Sequence, residues 1–357
     1  MDLCNINVIR SVMESEGIKF RKEFGQNFLI NRHIPEDIAD NCSDREDCMI
    51  LEIGPGIGCL TAELAKRYEK VVAVEIDRGL IPVLKKTLAE FDNVTVINED
   101  IMKLDLNTLI PQLAEGREVY VCANLPYYIT TPILMRLLEC GVKFNSITVM
   151  VQAEVATRLT SKAGGGDYGA ITAVLGYYGE TRKLFTVSAN CFMPAPKVNS
   201  AVIKIDLYKE PKYKPKNENL FFGIIKASFE QRRKTLVNAV YSKYPDFSKE
   251  ELQNVLVDMG YTPTVRGETL SVEEFCALSD RLFELRAEGG FSVFVRRASC
   301  TLFEYLCEII VVGNPYKSRN FIYWLICCDK QMLCFVYSFL GYISAYRHPE
   351  ILLGQRI

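Results

Sequence analysis

The tetrapeptide Asn124-Leu125-Pro126-Tyr127 carries the residue types best suited to chemistry in this chain. The Asn124 side-chain oxygen and the Leu125 carbonyl are acceptors, and Pro126 holds rigid the turn that presents them. Two acceptors directed at the hydrogens of an exocyclic adenine amine would free its conjugated lone pair for methyl transfer. Tyr127 could stack on an extruded base, an interaction worth about 1–3 kcal/mol. The alternative interpretation is a β-turn with a buried tyrosine.

A glycine-rich loop at residues 54–58 (GPGIG) follows an apolar run and precedes a helical pattern. Gly54 and Gly56 would let the backbone turn tightly and approach a ligand closely. The dinucleotide fingerprint G-x-G-x-x-G needs a glycine where Cys59 stands, and Pro55 removes an amide that a diphosphate could use. The loop therefore fits a nucleoside without a diphosphate better than NAD. An NAD-dependent oxidoreductase is the first alternative function, and these two residues argue against it.

Two acidic residues follow the next two apolar runs. Glu75 lies 21 residues beyond Gly54, where a carboxylate can accept both hydroxyls of a ribose. Asp100 follows the third run, where it could accept from an adenine amino group or simply cap the next helix. We expect both at the carboxyl edge of a sheet, where ligands collect in open α/β folds.

The pattern of elements predicts an α/β fold with a Rossmann-like sheet. The apolar, β-branched runs that predict strands are Met49–Ile53, Val71–Ile76, Val94–Asn98, Val119–Asn124, Ile147–Gln152 and Ala201–Tyr208. Helical patterns such as CLTAELAKRYEK separate the early runs, which favours right-handed crossovers and a mainly parallel sheet. These elements form a first predicted domain, residues 1–206.

Two further regions are predicted after the sheet. Residues 207–219 are polar and proline-containing and begin a second domain, 207–286, with helical periodicity. In that domain Phe222, Phe229 and Leu236 share one face of a predicted helix. Residues 287–357 form an atypical extension, rich in cysteine and aromatic residues, whose role the sequence does not indicate.

Composition excludes several classes of protein. The chain has 357 residues, 49% hydrophobic and 24% charged, with a formal net charge of −2, which excludes a disordered or collagen-like chain. Residues 209–243 hold nine Lys or Arg and three Glu, a net charge of +6. The positive charge of this segment predicts a surface that binds nucleic-acid phosphates, although a solvated helix face is the alternative.

Cysteine and histidine usage bears on the compartment and on catalysis. Thirteen cysteines without a signal peptide predict reduced thiols in the cytoplasm, and no Cys/His set has zinc spacing, so no metal is expected. Only two histidines leave little material for Ser–His or Cys–His catalysis. The apolar tail is interrupted by residues 329–331 (DKQ), so no membrane span is expected.

Six motifs in order resemble those of the small-subunit ribosomal RNA adenine N6-dimethyltransferase family, over about residues 20–285. The motifs are Phe24–Leu29 (FGQNFL), the glycine loop, Asn124–Tyr127, Phe192–Ser200 (FMPAPKVNS), Phe229–Leu236 (FEQRRKTL) and Glu268–Ser271 (ETLS). The resemblance implies S-adenosylmethionine as the cofactor and a methyltransferase sheet with a small C-terminal helical domain.

The resemblance also assigns residues to roles. The implied cofactor contacts are Asn27, Leu29, Gly54, Gly56, Glu75, Asp100 and Asn124. The implied catalytic residues are Asn124, Leu125, Pro126 and Tyr127, with Tyr127 and Phe192 against the substrate base. The implied RNA contacts are Arg232, Arg233 and Lys234.

The implied activity is methylation of N6 on two adjacent adenosines in a 3′-terminal hairpin of small-subunit rRNA, on an immature 30S-type particle. We expect a cytoplasmic monomer without a membrane partner. A resistance-type 23S rRNA methyltransferase and a non-catalytic ribosome assembly factor of the same fold remain the alternatives.

Overall fold

The computed structural model describes residues 1–18 and 27–286. Phe24, Gly25 and Gln26 of the amino-terminal motif, and the extension 287–357, lie outside the described residues. Met1–Glu284 forms one compact unit, which holds both the sheet and the helices after it. The boundary predicted between residues 206 and 207 coincides with a change from strands to helices, and it stays a prediction as a domain boundary.

The described part of the chain builds its main sheet from seven strands. Two further strands, β1 Phe28–Leu29 and β8 Phe192–Met193, form a separate two-stranded sheet. The seven strands of the main sheet are β2 Met49–Ile53, β3 Lys70–Glu75, β4 Val94–Asn98, β5 Val119–Asn124, β6 Ser146–Gln152, β7 Gly179–Val187 and β9 Ser200–Leu207. The sheet has the order β4-β3-β2-β5-β6-β9-β7. The first five strands of that order are parallel, and β9 and β7 are antiparallel to their neighbours. This topology confirms the predicted mainly parallel α/β sheet.

Helices connect and cover the strands. They are α1 Ile6–Ser15, α2 His33–Asp40, α3 Cys59–Arg67, α4 Ile81–Thr87, α5 Leu106–Ala114, α6 Thr130–Glu139, α7 Ala153–Leu159, α8 Ala170–Tyr178, α9 Glu218–Glu230, α10 Leu236–Lys243, α11 Lys249–Asp258 and α12 at 272–286. Ser271 and Glu274 exchange hydrogen bonds at the start of α12, the reciprocal arrangement of a capping box.

The core lies on both faces of the sheet because successive side chains of a strand point to opposite faces. On one face Leu51 and Val121 pack with buried residues of α5 and α6. On the other face Ile50 and Cys122 pack with buried residues of α2 and α3. Burial on both faces explains why the central strands read as continuous apolar runs.

Two features differ from the sequence prediction. The strand β7 was not predicted, because residues 180–183 (ETRK) are polar and lie at the sheet edge, where charge discourages pairing with other chains. The prediction that Phe222, Phe229 and Leu236 share one face of a single helix is wrong, because the chain leaves α9 at Gln231 and starts α10 after Thr235. The Thr235 hydroxyl caps the second helix.

Candidate active site

A cleft opens at the carboxyl ends of β2, β3 and β5, beside β1. Its lining residues are Asn27, Phe28, Leu29, Glu52, Gly54, Pro55, Gly56, Ile57, Cys59, Leu60, Glu75, Ile76, Leu80, Asn124, Leu125, Pro126, Tyr127 and Tyr128. This edge of a parallel sheet is where α/β folds bind ligands. The cleft therefore brings together the predicted glycine loop, ribose acid and catalytic turn.

The glycine loop is held in a conformation that other residues would strain. Gly54 and Gly56 have φ angles of 71° and 61°, in the left-handed region. The Gly54 amide donates to the Val74 carbonyl at 2.9 Å, which joins the loop to β3. A Cβ on Gly56 would lie 3.1 Å from the Phe28 ring, so the β1 segment packs directly on the loop. The loop thus has the backbone shape that close approach to a ligand requires.

Glu75 connects the end of β3 to the glycine loop. Its Oε2 accepts from the Gly56 amide at 3.1 Å, and its Oε1 accepts from the Asp77 amide at 2.8 Å. Burial raises the pKa of Glu75, although these backbone amides act in the opposite direction. A carboxylate oxygen can accept more than one hydrogen bond, so the Glu75 carboxylate can still accept from ligand hydroxyls.

Glu52 is a site residue to which sequence reasoning assigned no role. It lies in β2 within the apolar run MILEI, is 1% exposed and lines the cleft. Its Oε2 has no hydrogen-bond partner within the described residues. Burial raises the pKa of Glu52 to about 8, and the charge of Glu75 adds to the effect. A buried acid with a spare acceptor fits a ligand that brings hydrogen-bond donors or positive charge.

Asn124 ends β5 with its side chain oriented by the β1 segment. Its Nδ2 donates to the Asn27 carbonyl at 3.4 Å. A carbonyl can only accept, so the amide nitrogen must face Asn27 and the Oδ1 acceptor is left for another donor. The Leu125 amide donates to the Met150 carbonyl at 3.2 Å, which fixes the turn to β6. No described residue donates to the Leu125 carbonyl, so the turn offers two acceptors.

Tyr127 is half-buried and hydrogen-bonded to β9. Its hydroxyl lies 2.6 Å from the Ser200 hydroxyl, in hydrogen-bond contact. Burial raises the pKa of Tyr127, so the ring stays neutral at physiological pH. The next residue, Tyr128, also lines the cleft but is 64% exposed. The catalytic turn therefore presents one fixed aromatic ring and one exposed ring.

Comparisons with known proteins agree with this site. The family model described as "Ribosomal RNA adenine dimethylase" matches residues 17–282. The chain belongs to the ribosomal RNA adenine dimethylase family. This membership confirms the predicted adenine methyltransferase of rRNA and excludes the oxidoreductase reading.

This dimethylase aligns with nearly the whole length of its curated relatives. A protein of Lachnoclostridium phytofermentans named "Ribosomal RNA small subunit methyltransferase A" is 48% identical, over 74% of this chain and 92% of that protein. A protein of Bacillus mycoides with the same name is 44% identical, over 79% of this chain and 97% of that protein.

Solved structures share the fold. A dimethyladenosine transferase from Plasmodium falciparum has a TM-score of 0.61 at 24% identity, over 73% of this chain and 98% of that one. The 23S rRNA methyltransferase ErmE has a TM-score of 0.57 at 26% identity, over 72% of this chain and all of that one. The predicted methyltransferase sheet is thereby confirmed.

Phe192 does not line the cleft of this dimethylase. It forms β8, which pairs antiparallel with β1 so that Phe192 lies opposite Leu29. Its side chain is 3% exposed and packs with Leu29 and Val187 in the core. The pairing holds the amino-terminal segment against the sheet, and contact of Phe192 with a substrate base stays a prediction.

Asp100 also lies outside the cleft lining of the dimethylase. Its Oδ1 accepts from the Met102 amide at 3.0 Å, and its carbonyl accepts from the Lys103 amide at 2.9 Å. The residue thus closes the turn after β4, and it does not cap the next helix, because the N-cap of α5 is Asp105. Its contact with the cofactor adenine stays a prediction.

The three predicted RNA contacts of the dimethylase differ in their surroundings. Arg232 donates to the carbonyls of Gly166 and Tyr168, each at 2.9 Å, and so joins the α9–α10 connection to the loop after α7. Arg233 and Lys234 are exposed, and their side chains make no hydrogen bond or ion pair within the described residues. Arg232 therefore has a structural contact, whereas its two neighbours present unpaired charge.

The described residues lack two further features. Within residues 1–18 and 27–286, no group of three or more His, Cys, Asp or Glu could hold a metal ion. In the same ranges no helix is both long and apolar enough to cross a bilayer.

Proposed function

We propose that the protein transfers methyl groups from S-adenosylmethionine to N6 of two adjacent adenosines in a 3′-terminal hairpin of small-subunit rRNA, giving N6,N6-dimethyladenosine. The observation that carries the proposal is the 44–48% identity to proteins named for methylation of the small subunit, across almost their full length. We place the reaction in the cytoplasm, on immature 30S-type particles, with the enzyme as a monomer.

The cleft fits S-adenosylmethionine on its own features. Glu52 supplies a buried carboxylate with an unused oxygen, which suits a ligand with positive charge. Gly54 and Gly56 supply a backbone that can approach the ligand, and Glu75 supplies acceptors for ribose hydroxyls. Asn27 and Leu29 close the cleft from the β1 side. When bound, this cofactor supplies an electrophilic methyl group on a sulfonium.

The catalytic turn would activate the adenine amine without a strong base. In our proposal the Asn124 Oδ1 and the Leu125 carbonyl accept its two hydrogens, which favours a tetrahedral nitrogen with an available lone pair. The contact between Asn124 Nδ2 and the Asn27 carbonyl supports this, because it holds Oδ1 in the acceptor orientation. The proton can leave to water once the nitrogen is cationic, which is consistent with a cleft lining that contains no histidine.

Tyr127 would hold the target base after it leaves its stack. An enzyme that modifies a base inside RNA must extrude it or find it in a loop. A neutral tyrosine ring beside the acceptors can stack on that base, worth about 1–3 kcal/mol. Arg233 and Lys234 would contact phosphates, since they carry exposed charge in the segment 209–243.

The 23S rRNA alternative has one observation in its favour, which is the fold shared with ErmE. Its identity of 26% is well below the 44–48% of the small-subunit relatives. A non-catalytic assembly factor would not need the acceptor pair at Asn124 and Leu125. We therefore rank both below small-subunit dimethylation.

Incubation with labelled S-adenosylmethionine and undermethylated small subunits, followed by nucleoside analysis, tests the proposal. The expected product is N6,N6-dimethyladenosine, at two adjacent positions once the RNA is mapped. Label only in 23S rRNA would establish the resistance-type activity instead. Absence of label from wild-type protein that binds both RNA and S-adenosylhomocysteine would establish the assembly-factor reading.

A further inference from the structure

The contact between Tyr127 and Ser200 joins the catalytic turn to β9, a strand that is paired on both sides. Ser200 is the first residue of β9 and is fully buried. Its backbone lies between two strands, opposite Gln152 of β6 and Val187 of β7. A side chain on this residue has little freedom to move. It is therefore a fixed point against which a neighbouring group can be oriented.

Among the described residues, the Tyr127 hydroxyl is the one hydrogen-bond partner of that buried serine hydroxyl. Buried hydroxyls are almost always hydrogen-bonded, because an unpaired one keeps its desolvation cost. A hydrogen bond at the far end of a tyrosine constrains both torsions of its side chain. Pro126 constrains the backbone at the other end. The ring is thus held at both ends, whereas the adjacent Tyr128 is 64% exposed.

We propose that Ser200 is a positioning residue for methyl transfer, which holds the Tyr127 ring at the angle that presents its face to the target base. The inference rests on the proposed function, in which Tyr127 stacks on an adenine. Ser200 does not contact the base itself, and it acts through the hydrogen bond between the two hydroxyls. It gives the last serine of the motif at Phe192–Ser200 a role in the reaction.

Four variants separate this role from simple packing. Tyr127→Phe and Ser200→Ala each remove one partner of the same hydrogen bond. Ser200→Cys keeps the space of the side chain filled but replaces the hydroxyl with a weak thiol donor and acceptor. Tyr120→Phe is the matched control, because it removes a hydrogen-bonded tyrosine hydroxyl, paired with Glu118 at 3.0 Å, from a residue outside the cleft lining. Each variant is measured for kcat, for KM toward undermethylated small subunits, for S-adenosylhomocysteine affinity and for Tm.

We expect Tyr127→Phe and Ser200→Ala each to lower kcat by about threefold to tenfold, the worth of one neutral hydrogen bond. The double variant should lose no more than the worse single variant, because both changes remove one interaction. Ser200→Cys should lower kcat like Ser200→Ala while its Tm stays near wild type. Tyr120→Phe should keep the wild-type kcat, and S-adenosylhomocysteine affinity should change by less than about twofold in all four.

Two results would overturn the inference. Losses in kcat that multiply in the double variant would show that the two hydroxyls act separately. A Ser200→Cys variant with wild-type kcat would show that only the filled space matters. Failure of the proposed function is recognised separately, because then wild-type protein itself forms no dimethyladenosine. If wild type is active, the comparison among variants decides the role of Ser200 alone.

Discussion

Replacing Glu52 with glutamine should stabilise the protein at neutral pH. Burial raises the pKa of Glu52 from 4.5 to about 8, so the folded chain keeps a proton that the unfolded chain loses. The free energy of unfolding therefore falls as the pH rises from 4.5 to 8. At pH 7.5 the three pH units above 4.5 correspond to about 4 kcal/mol of lost stability. Glutamine cannot ionise, so it avoids this loss.

Part of that gain is offset by the buried amide. The Glu52 Oε2 position has no partner within the described residues, and an unpaired buried polar group costs about 1–3 kcal/mol. We expect a net gain of about 1–3 kcal/mol at pH 7.5, which raises Tm by about 2–6 °C. At pH 5.0 the loss in wild type shrinks to under about 1 kcal/mol, and the gain disappears.

Calorimetry at the two pH values measures the difference. Glu154→Gln, on the exposed side of α7, is the control and should leave Tm unchanged at both. Ionisation of Glu52 should also govern the affinity for the cofactor, since a positively charged ligand favours the ionised acid. Wild-type affinity for S-adenosylmethionine should rise about tenfold from pH 6.0 to 7.5, and the glutamine variant should lose that trend. A flat wild-type affinity, or a Tm gain equal at both pH values, would refute the reasoning.

Four further predictions concern residues whose roles the comparisons leave untested. Asn124→Ala should lower kcat by about a hundredfold or more with the fold retained, measured by label transfer, because it removes an acceptor; wild-type turnover would refute its role. Glu75→Ala should weaken S-adenosylhomocysteine binding by about tenfold to a hundredfold in calorimetric titration, and unchanged affinity would contradict the ribose contact. Arg233→Ala with Lys234→Ala should reduce the salt slope of RNA binding by about 2 at constant Tm. Arg232→Ala should instead lower Tm by about 2–4 °C. If Arg232→Ala changes only the salt slope, its structural role is wrong.

The part of the site that could be predicted from sequence is the part carried by local pattern. The glycine loop, Glu75 and Asn124 each stand directly after an apolar run, and parallel strands bring such positions to one edge. Residue type and spacing were therefore sufficient to place them in one cleft. Asp100 obeys the same rule in sequence, but its side chain is engaged by the Met102 amide. Position after a strand predicts the edge and does not predict the direction of a side chain.

The rest of the site depends on contacts between segments far apart in the chain. Asn27 orients Asn124 across 97 positions, and Ser200 holds Tyr127 across 73. No periodicity within either segment encodes such a pairing, because the β1–β8 ladder and the β9 register that create it form only on folding. Local rules also missed the break after Gln231, since the apolar spacing in the sequence continues across it.

A signal for the missed residues was nevertheless present, in the form of polar residues inside apolar runs. Glu52 interrupts MILEI, and Ser200 begins a strand of Ala, Val and Ile. A charged or hydroxyl group in a strand covered on both faces carries a desolvation cost, and a chain accepts that cost where the group has a partner to satisfy. For Ser200 the hydrogen-bond partner is Tyr127. In Glu52 the described residues leave one oxygen without a partner, at the wall of the cleft. The unmatched oxygen is therefore the feature that most directly indicates a ligand, and its titration is the measurement most sensitive to what binds there.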